Sequence, residues 1–214
     1  ANTTASENTA VGYNALTENS TGLENTAVGR QAMQFNTTGN YNTSVGVNCL
    51  RDNTTASNNT SVGHAALREN ETGANNTAVG KNALVSNTTG FQNTAVGTSA
   101  LDANTTAGYN TAVGYNSLTD NTTGQVNSAI GWGALQRCST GNNNTAFGGS
   151  ALAYTTTASN NTAVGKDALL ANTSGTNNTS VGSESGKTQT TANACTWIGV
   201  EAGRDNTASN NIGI

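Results

Sequence analysis

The chain has 214 residues with a net charge of −4, only 9% of them charged and 5% aromatic, and no Pro. Its eight Lys and Arg form no basic stripe, which argues against neutralisation of a phosphate backbone and so against nucleic-acid binding. No run of about 18 apolar residues occurs, so no membrane insertion is expected.

Low hydrophobicity usually means disorder, but disordered chains are also highly charged and rich in Pro. Here the uncharged polar residues return at fixed phase. The first copy is Asn8-Thr9-Ala10-Val11-Gly12 followed by Leu16, and its Gly recurs at 29, 46, 63, 80, 97, 114, 131, 148, 165, 182 and 199, always 17 residues on. A strict period over twelve copies is the signature of a stacked repeat. Ala1 enters a repeat partway and Ile214 falls inside a degenerate copy, so the chain reads as a segment of something longer or as a mature product, with no signal peptide.

We number the repeat from the Asn of Asn-Thr-Ala-Val-Gly. Position 1 is Asn except at Cys195; position 2 is Thr or Ser; position 3 is Ala or Ser except at Trp197. Position 4 is Val, Ile or Phe, and position 5 is always Gly. Position 8 is Ala, Ser or Cys, and position 9 is Leu or Met until Gly186 and Gly203. Position 12 is mostly Asn, position 14 Thr or Ser, and position 15 Gly or Ala. Charges collect at positions 6, 7, 10, 11, 13 and 17, which are the expected solvated edges.

Seventeen residues are too few for two helices, and Asn, Thr and Gly are poor helix formers. The spacing predicts an all-β parallel solenoid of about twelve rungs, each with two short strands joined by turns at Gly and Asn. Equivalent residues then stack about 4.8 Å apart, and the absence of Pro keeps the backbone N–H groups free for the ladder. Asn at positions 1 and 12 is expected to form amide ladders. Val at position 4, Leu at position 9 and Ala at positions 3 and 8 are the expected core, a thin one. Positions 2 and 4 share one strand face and positions 3 and 5 the other, both packable, so self-association is expected. One repeat domain is expected over 1–214, regular over 8–182 and degenerate over 183–214.

Along the chain, several residues stand out from the period. Ala replaces Gly at position 15 in Ala5, Ala56, Ala107 and Ala158, every third rung, as duplication of a three-repeat block would leave. Tyr13, Tyr115 and Trp132 share position 6, and the last two fall on adjacent rungs; they are the candidate surface contact for a sugar or protein. His64 sits at the same position without a carboxylate or Cys beside it and reads as a surface residue. Cys49, Cys138 and Cys195 occupy three different positions, so they make neither a disulfide ladder nor a metal-ligand spacing. Ser139, His64 and any Asp lie rungs apart, which assembles no triad. Gly148-Gly149 is no more than a superficial likeness to a phosphate loop, and Ser183-Glu184-Ser185-Gly186-Lys187-Thr188 lacks the opening Gly of one. No catalytic, metal or cofactor-binding residue is therefore expected. Asn-X-Ser/Thr sequons such as Asn53-Thr54-Thr55 and Asn87-Thr88-Thr89 are abundant, but glycans one rung apart would collide. Near the end Trp197 intrudes and the copy from Arg204 to Asn211 is one residue short, as at a cap or a transition to another domain.

The Asn-Thr-Ala-Val-Gly unit resembles the Asn-Ser-Val-Ala-Ile-Gly repeat of YadA-like heads in trimeric autotransporter adhesins. It is similar, more closely, to the Asn-Thr-Ala-Val-Gly-Tyr-Asn-Ala-Leu repeats of phage and bacterial tail-fibre-like proteins, and the likeness runs from Asn2 to Arg204. That resemblance implies a left-handed β-roll, three chains side by side as a homotrimer, and an extracellular place on a cell or virion surface. The adhesin repeats are usually shorter, so the Asn-Thr-Thr-Gly turn is extra here. The expected function is a non-enzymatic fibre or adhesin segment meeting a host-surface glycan or protein. The alternatives are an ice-binding solenoid using the Thr ladder of Thr9, Thr26, Thr43, Thr60 and Thr77, and a subunit of an extracellular filament. The missing Thr-X-Thr doublet weighs against ice binding.

Overall fold

A computed structural model describes residues 4–213; Ala1, the start of the resemblance at Asn2, and Ile214 lie outside them. The chain divides after Gly108 into two compact units. Each is a parallel β-solenoid, and together they carry about twelve rungs of 17 residues, with no helix among the described residues.

In the first unit the strands are β1 (Thr9–Val11), β2 (Thr26–Val28), β3 (Thr43–Val45), β4 (Thr60–Val62), β5 (Thr77–Val79) and β6 (Thr94–Val96). Consecutive strands pair in parallel at a register of one repeat, Thr on Thr and Val on Val. The second unit holds β7 (Thr111–Val113), β8 (Ser128–Ile130), β9 (Thr145–Phe147), β10 (Thr162–Val164), β11 (Thr179–Val181), β12 (Thr196–Ile198) and β13 (Ile212–Gly213), parallel at the same one-repeat register as far as β12, with Ile212 of β13 on Thr196 one residue short of it. β-branched Thr and Val suit the extended backbone, which explains why these three positions form the strand.

The expected second strand is absent among the described residues: each rung has one strand, and the rest is turn. The reason is the backbone at positions 7 and 9, which is left-handed, as at Asn82 (φ 57°) and Leu84 (φ 51°). A left-handed Leu costs roughly 1–2 kcal/mol, less than the roughly 1.5–3 kcal/mol gained by burying it fully. These turns still belong to the ladder. Leu50 N donates to Ala66 O (2.9 Å) and Asp52 N to Arg68 O (3.0 Å) one rung on, while Gly63 N donates to Val45 O and Ala65 N to Val47 O (both 2.9 Å) one rung back. Pairing around the turns, and not only at the strand, makes Pro intolerable at these positions.

The expected core needs one correction. Ala or Ser at position 3 points inward and is fully buried at Ala27, Ala78 and Ala163, whereas position 4 points outward, with Val45, Val79 and Val96 exposed. Strand alternation allows only one of the two faces inside. Position 3 wins because the walls of the rung approach too closely for Val. The interior is Ala, Leu and Asn, with Leu50, Leu67, Leu84, Leu135 and Leu169 fully buried, and Cys49 buried as a small residue in an Ala position.

Position 12 forms the amide ladder expected of it: Asn53 Nδ2 donates to Asn36 Oδ1 (2.6 Å), and Asn87 Nδ2 to Asn70 Oδ1 (2.7 Å). Position 1 works chiefly on the backbone instead. Asn59 Oδ1 accepts from Asn76 N (2.9 Å), while Asn59 Nδ2 donates to Gly73 O (3.0 Å). The Gly at position 5 is required twice over. Gly63 has φ +127°, and a Cβ there would sit 2.7 Å from Gly80 O in the next rung.

At the degenerate end the core is exchanged, not lost. Trp197 replaces Ala at position 3 and is fully buried, filling the space that Leu would take in two rungs. A Cβ on Gly186 would lie 2.9 Å from Trp197 Cε3, and one on Gly203 would overlap the indole.

Candidate functional site

With positions 1, 3, 8, 9 and 12 turned inward, the strand offers solvent positions 2 and 4, flanked by position 17 before it and position 6 after it. In each unit the result is a row of Thr beside a row of Val, Ile or Phe, one pair per rung and about 4.8 Å between rungs. Positions 2 and 4 carry no charge in any rung. The Thr26, Thr43, Thr60 and Thr77 hydroxyls have no hydrogen-bond partner among the described residues, so they are available to solvent or a ligand. Among the described residues no pocket opens on this face.

Tyr13, in the first unit, is exposed at position 6. In the second unit the ladder brings Tyr115 and Trp132 together, Gly133 N donating to Tyr115 O (3.0 Å). The fold adds residues that a search along position 6 alone misses. Tyr109 and Val126 at position 17, just before the strands, and Ile130 and Phe147 at position 4 are exposed on the same neighbouring rungs. The signal that could have found them is the bulky residue at position 17, where the backbone is left-handed (Tyr109 φ 63°, Val126 φ 58°), directly before a strand whose position 4 is also bulky, a pairing that crosses the boundary between one repeat copy and the next.

The remaining candidates behave as plain structure. His64 is exposed. Ser139 donates its hydroxyl to Thr156 O (3.1 Å). Lys187 pairs with Asp167 (3.5 Å) and Glu184 (3.2 Å), and Arg204 continues that ladder to Glu184 (3.1 Å) and Glu201 (3.2 Å). The Gly186-Lys187-Thr188 stretch is thus an ion-paired rung edge. Among the described residues no group of three metal-ligating side chains occurs. Cys49, Cys138 and Cys195 are free and buried. Burial pushes the Cys138 thiol up to about 11 and raises that of Cys49. The sequon asparagines Asn53 and Asn87 are fully buried with their amides hydrogen-bonded. Comparison with protein families, curated proteins and solved structures finds no match for this chain.

Proposed function

We propose that this chain is a non-enzymatic, structural and adhesive segment of an extracellular fibre, a surface adhesin or tail fibre, that associates with copies of itself through the Thr/Val face, as a homotrimer. The observation that carries this reading is the outward row of Val, Ile and Phe, unbroken by charge in either unit. A repeating apolar row left in water is a self-association surface. The other strand face is already the interior, so it is the Thr/Val face that remains for a partner. The resemblance to trimeric adhesin and tail-fibre repeats supplies the stoichiometry and the location on a cell or virion surface. Any host glycan or protein would meet the rung edges outside that face. Light scattering of the native particle tests it: a discrete species near three times 21.5 kDa supports the reading, and a stable monomer overturns it.

A second reading, an ice-binding solenoid, is favoured by one observation. The Thr hydroxyls of position 2 stand in line at strand spacing on a face whose positions 2 and 4 carry no charge. Thermal hysteresis in a monomeric preparation would favour it over the fibre. Open-ended polymers in the same preparation would point to a filament subunit joined through strand edges.

A further inference from the structure

A face built from a strict repeat has a weakness as an interface. Shifting one copy by one rung, about 4.8 Å, places Thr against Thr and Val against Val again, so the rows alone leave the register degenerate. A specific assembly needs a feature that breaks the translation. The second unit has one. On three neighbouring rungs, Tyr109, Tyr115, Trp132 and Phe147 are 50, 53, 61 and 54% exposed, with Val126 at 51% and Ile130 at 37% between them. The rungs are joined through Val113 on Ile130 and Ile130 on Phe147. None of positions 17, 2, 4 and 6 on these rungs is charged. The next rung along, with Asn160, Thr162, Val164 and Lys166 at the same positions, returns to the ordinary pattern.

Resting on the self-association reading above, we propose that this aromatic belt is the register-setting anchor for a second copy of the chain. Half-exposed rings of this size offer about 100 Å² each, so the four supply roughly 400 Å². A standard interface needs about 800 Å² per partner, which the belt reaches together with the flanking Thr/Val rows of its own unit. Aromatic residues in an uncharged setting are also the composition of an interface centre. The belt has relief as well: a Cβ on Gly149, beside Trp132 in the ladder, would meet nothing within 4 Å, which leaves an open step next to the most exposed ring.

The test replaces the four rings and Val126 with residues that the same positions carry in other rungs, so the fold is kept, and leaves Ile130 in place: Tyr109→Asn, Tyr115→Thr, Trp132→Thr, Val126→Asn and Phe147→Val. Sedimentation velocity is run on both chains, with far-ultraviolet circular dichroism as the folding control. Acrylamide quenching of the wild type reads Trp132 selectively, because Trp197 is fully buried. The wild type is expected to form one discrete species with Trp132 protected, and the variant a spread of staggered oligomers or monomer. A variant with the same single species overturns the belt while leaving self-association standing. A monomeric wild type overturns both. Protection of Trp132 in a monomer by a neutral oligosaccharide, such as a soluble hexasaccharide of glucose, reassigns the belt to sugar binding and also overturns it.

Discussion

Truncating one rung of the position 12 ladder tests whether buried amides hold this fold. Asn70 Nδ2 donates to Asn53 Oδ1 (3.2 Å) and Gly73 O (2.9 Å), and its Oδ1 accepts from Asn87 Nδ2 (2.7 Å). In Asn70→Ala, Asn87 Nδ2 keeps Gly90 O (2.9 Å) and Gly73 O keeps Asn59 Nδ2 (3.0 Å), whereas Asn53 Oδ1 loses its donor. One orphaned buried acceptor costs about 1–3 kcal/mol, and the small void adds to it, for a total of about 2–4 kcal/mol. Asn70→Thr should cost less, because its larger side chain fills more of the void and can donate as Thr155 does at this position, to the carbonyl one rung on (Asn172 O, 3.0 Å), although Asn53 Oδ1 still lacks its donor. Urea denaturation of the three chains measures both values. A cost below about 0.5 kcal/mol for Asn70→Ala would refute the reasoning, since it would mean the ladder bonds are no better than those to water.

Other consequences can be checked separately. Gly80→Ala, at φ +138° with its Cβ overlapping the Gly97 carbonyl, should cost more than about 3 kcal/mol or prevent folding, while Gly149→Ala in open space should stay within about 0.5 kcal/mol; thermal unfolding separates them. The Cys138 thiol titrates near 9.0 when unfolded and about 11 when folded, so stability present below pH 9 is lost as the pH rises from about 9 to 11, by about 2–3 kcal/mol in all. Cys138→Ala should flatten most of that alkaline slope in denaturant titrations, with Cys49 leaving a remainder of the same sign. Produced in a glycosylating secretory host, the chain should carry glycans only among the exposed position 17 sequons Asn58, Asn75, Asn143, Asn160 and Asn177, never on two adjacent rungs of one chain, and none at the buried Asn53 or Asn87. Glycopeptide mass spectrometry reads the occupancy, and sugar on Asn53 in folded protein would contradict the ladder.

The period, the stacking and the roles of Gly63 and Asn53 were legible because a strict repeat forces each residue to tolerate its own copy one rung away. The direction of Val79 was not. Alternation separates positions 2 and 4 from 3 and 5, but only the width of the rung decides which pair is inside, and small Ala78 fits where Val does not. The missing second strand was hidden for a related reason. Leu84 is read as an ordinary core residue, and nothing in its type announces a left-handed backbone whose cost is offset by burial. Trp197 reads in the sequence only as part of a cap or a transition to another domain; that it is a core residue follows from its indole lying against Gly186 and Gly203. Tyr115 and Trp132 were found through a shared position, but Tyr109 and Phe147 occupy other positions and join them only in three dimensions.

The most direct test of the central claim places a thiol on the Thr/Val face and another off it. The native cysteines are buried, so Val79→Cys and Thr72→Cys, the latter exposed at position 14, each report on a single site in the folded protein. Maleimide labelling of the native particle should be much slower at position 79 than at position 72, and equal at both once the chain is unfolded. Equal rates in the native particle would show the Thr/Val face open to water and would contradict self-association through it.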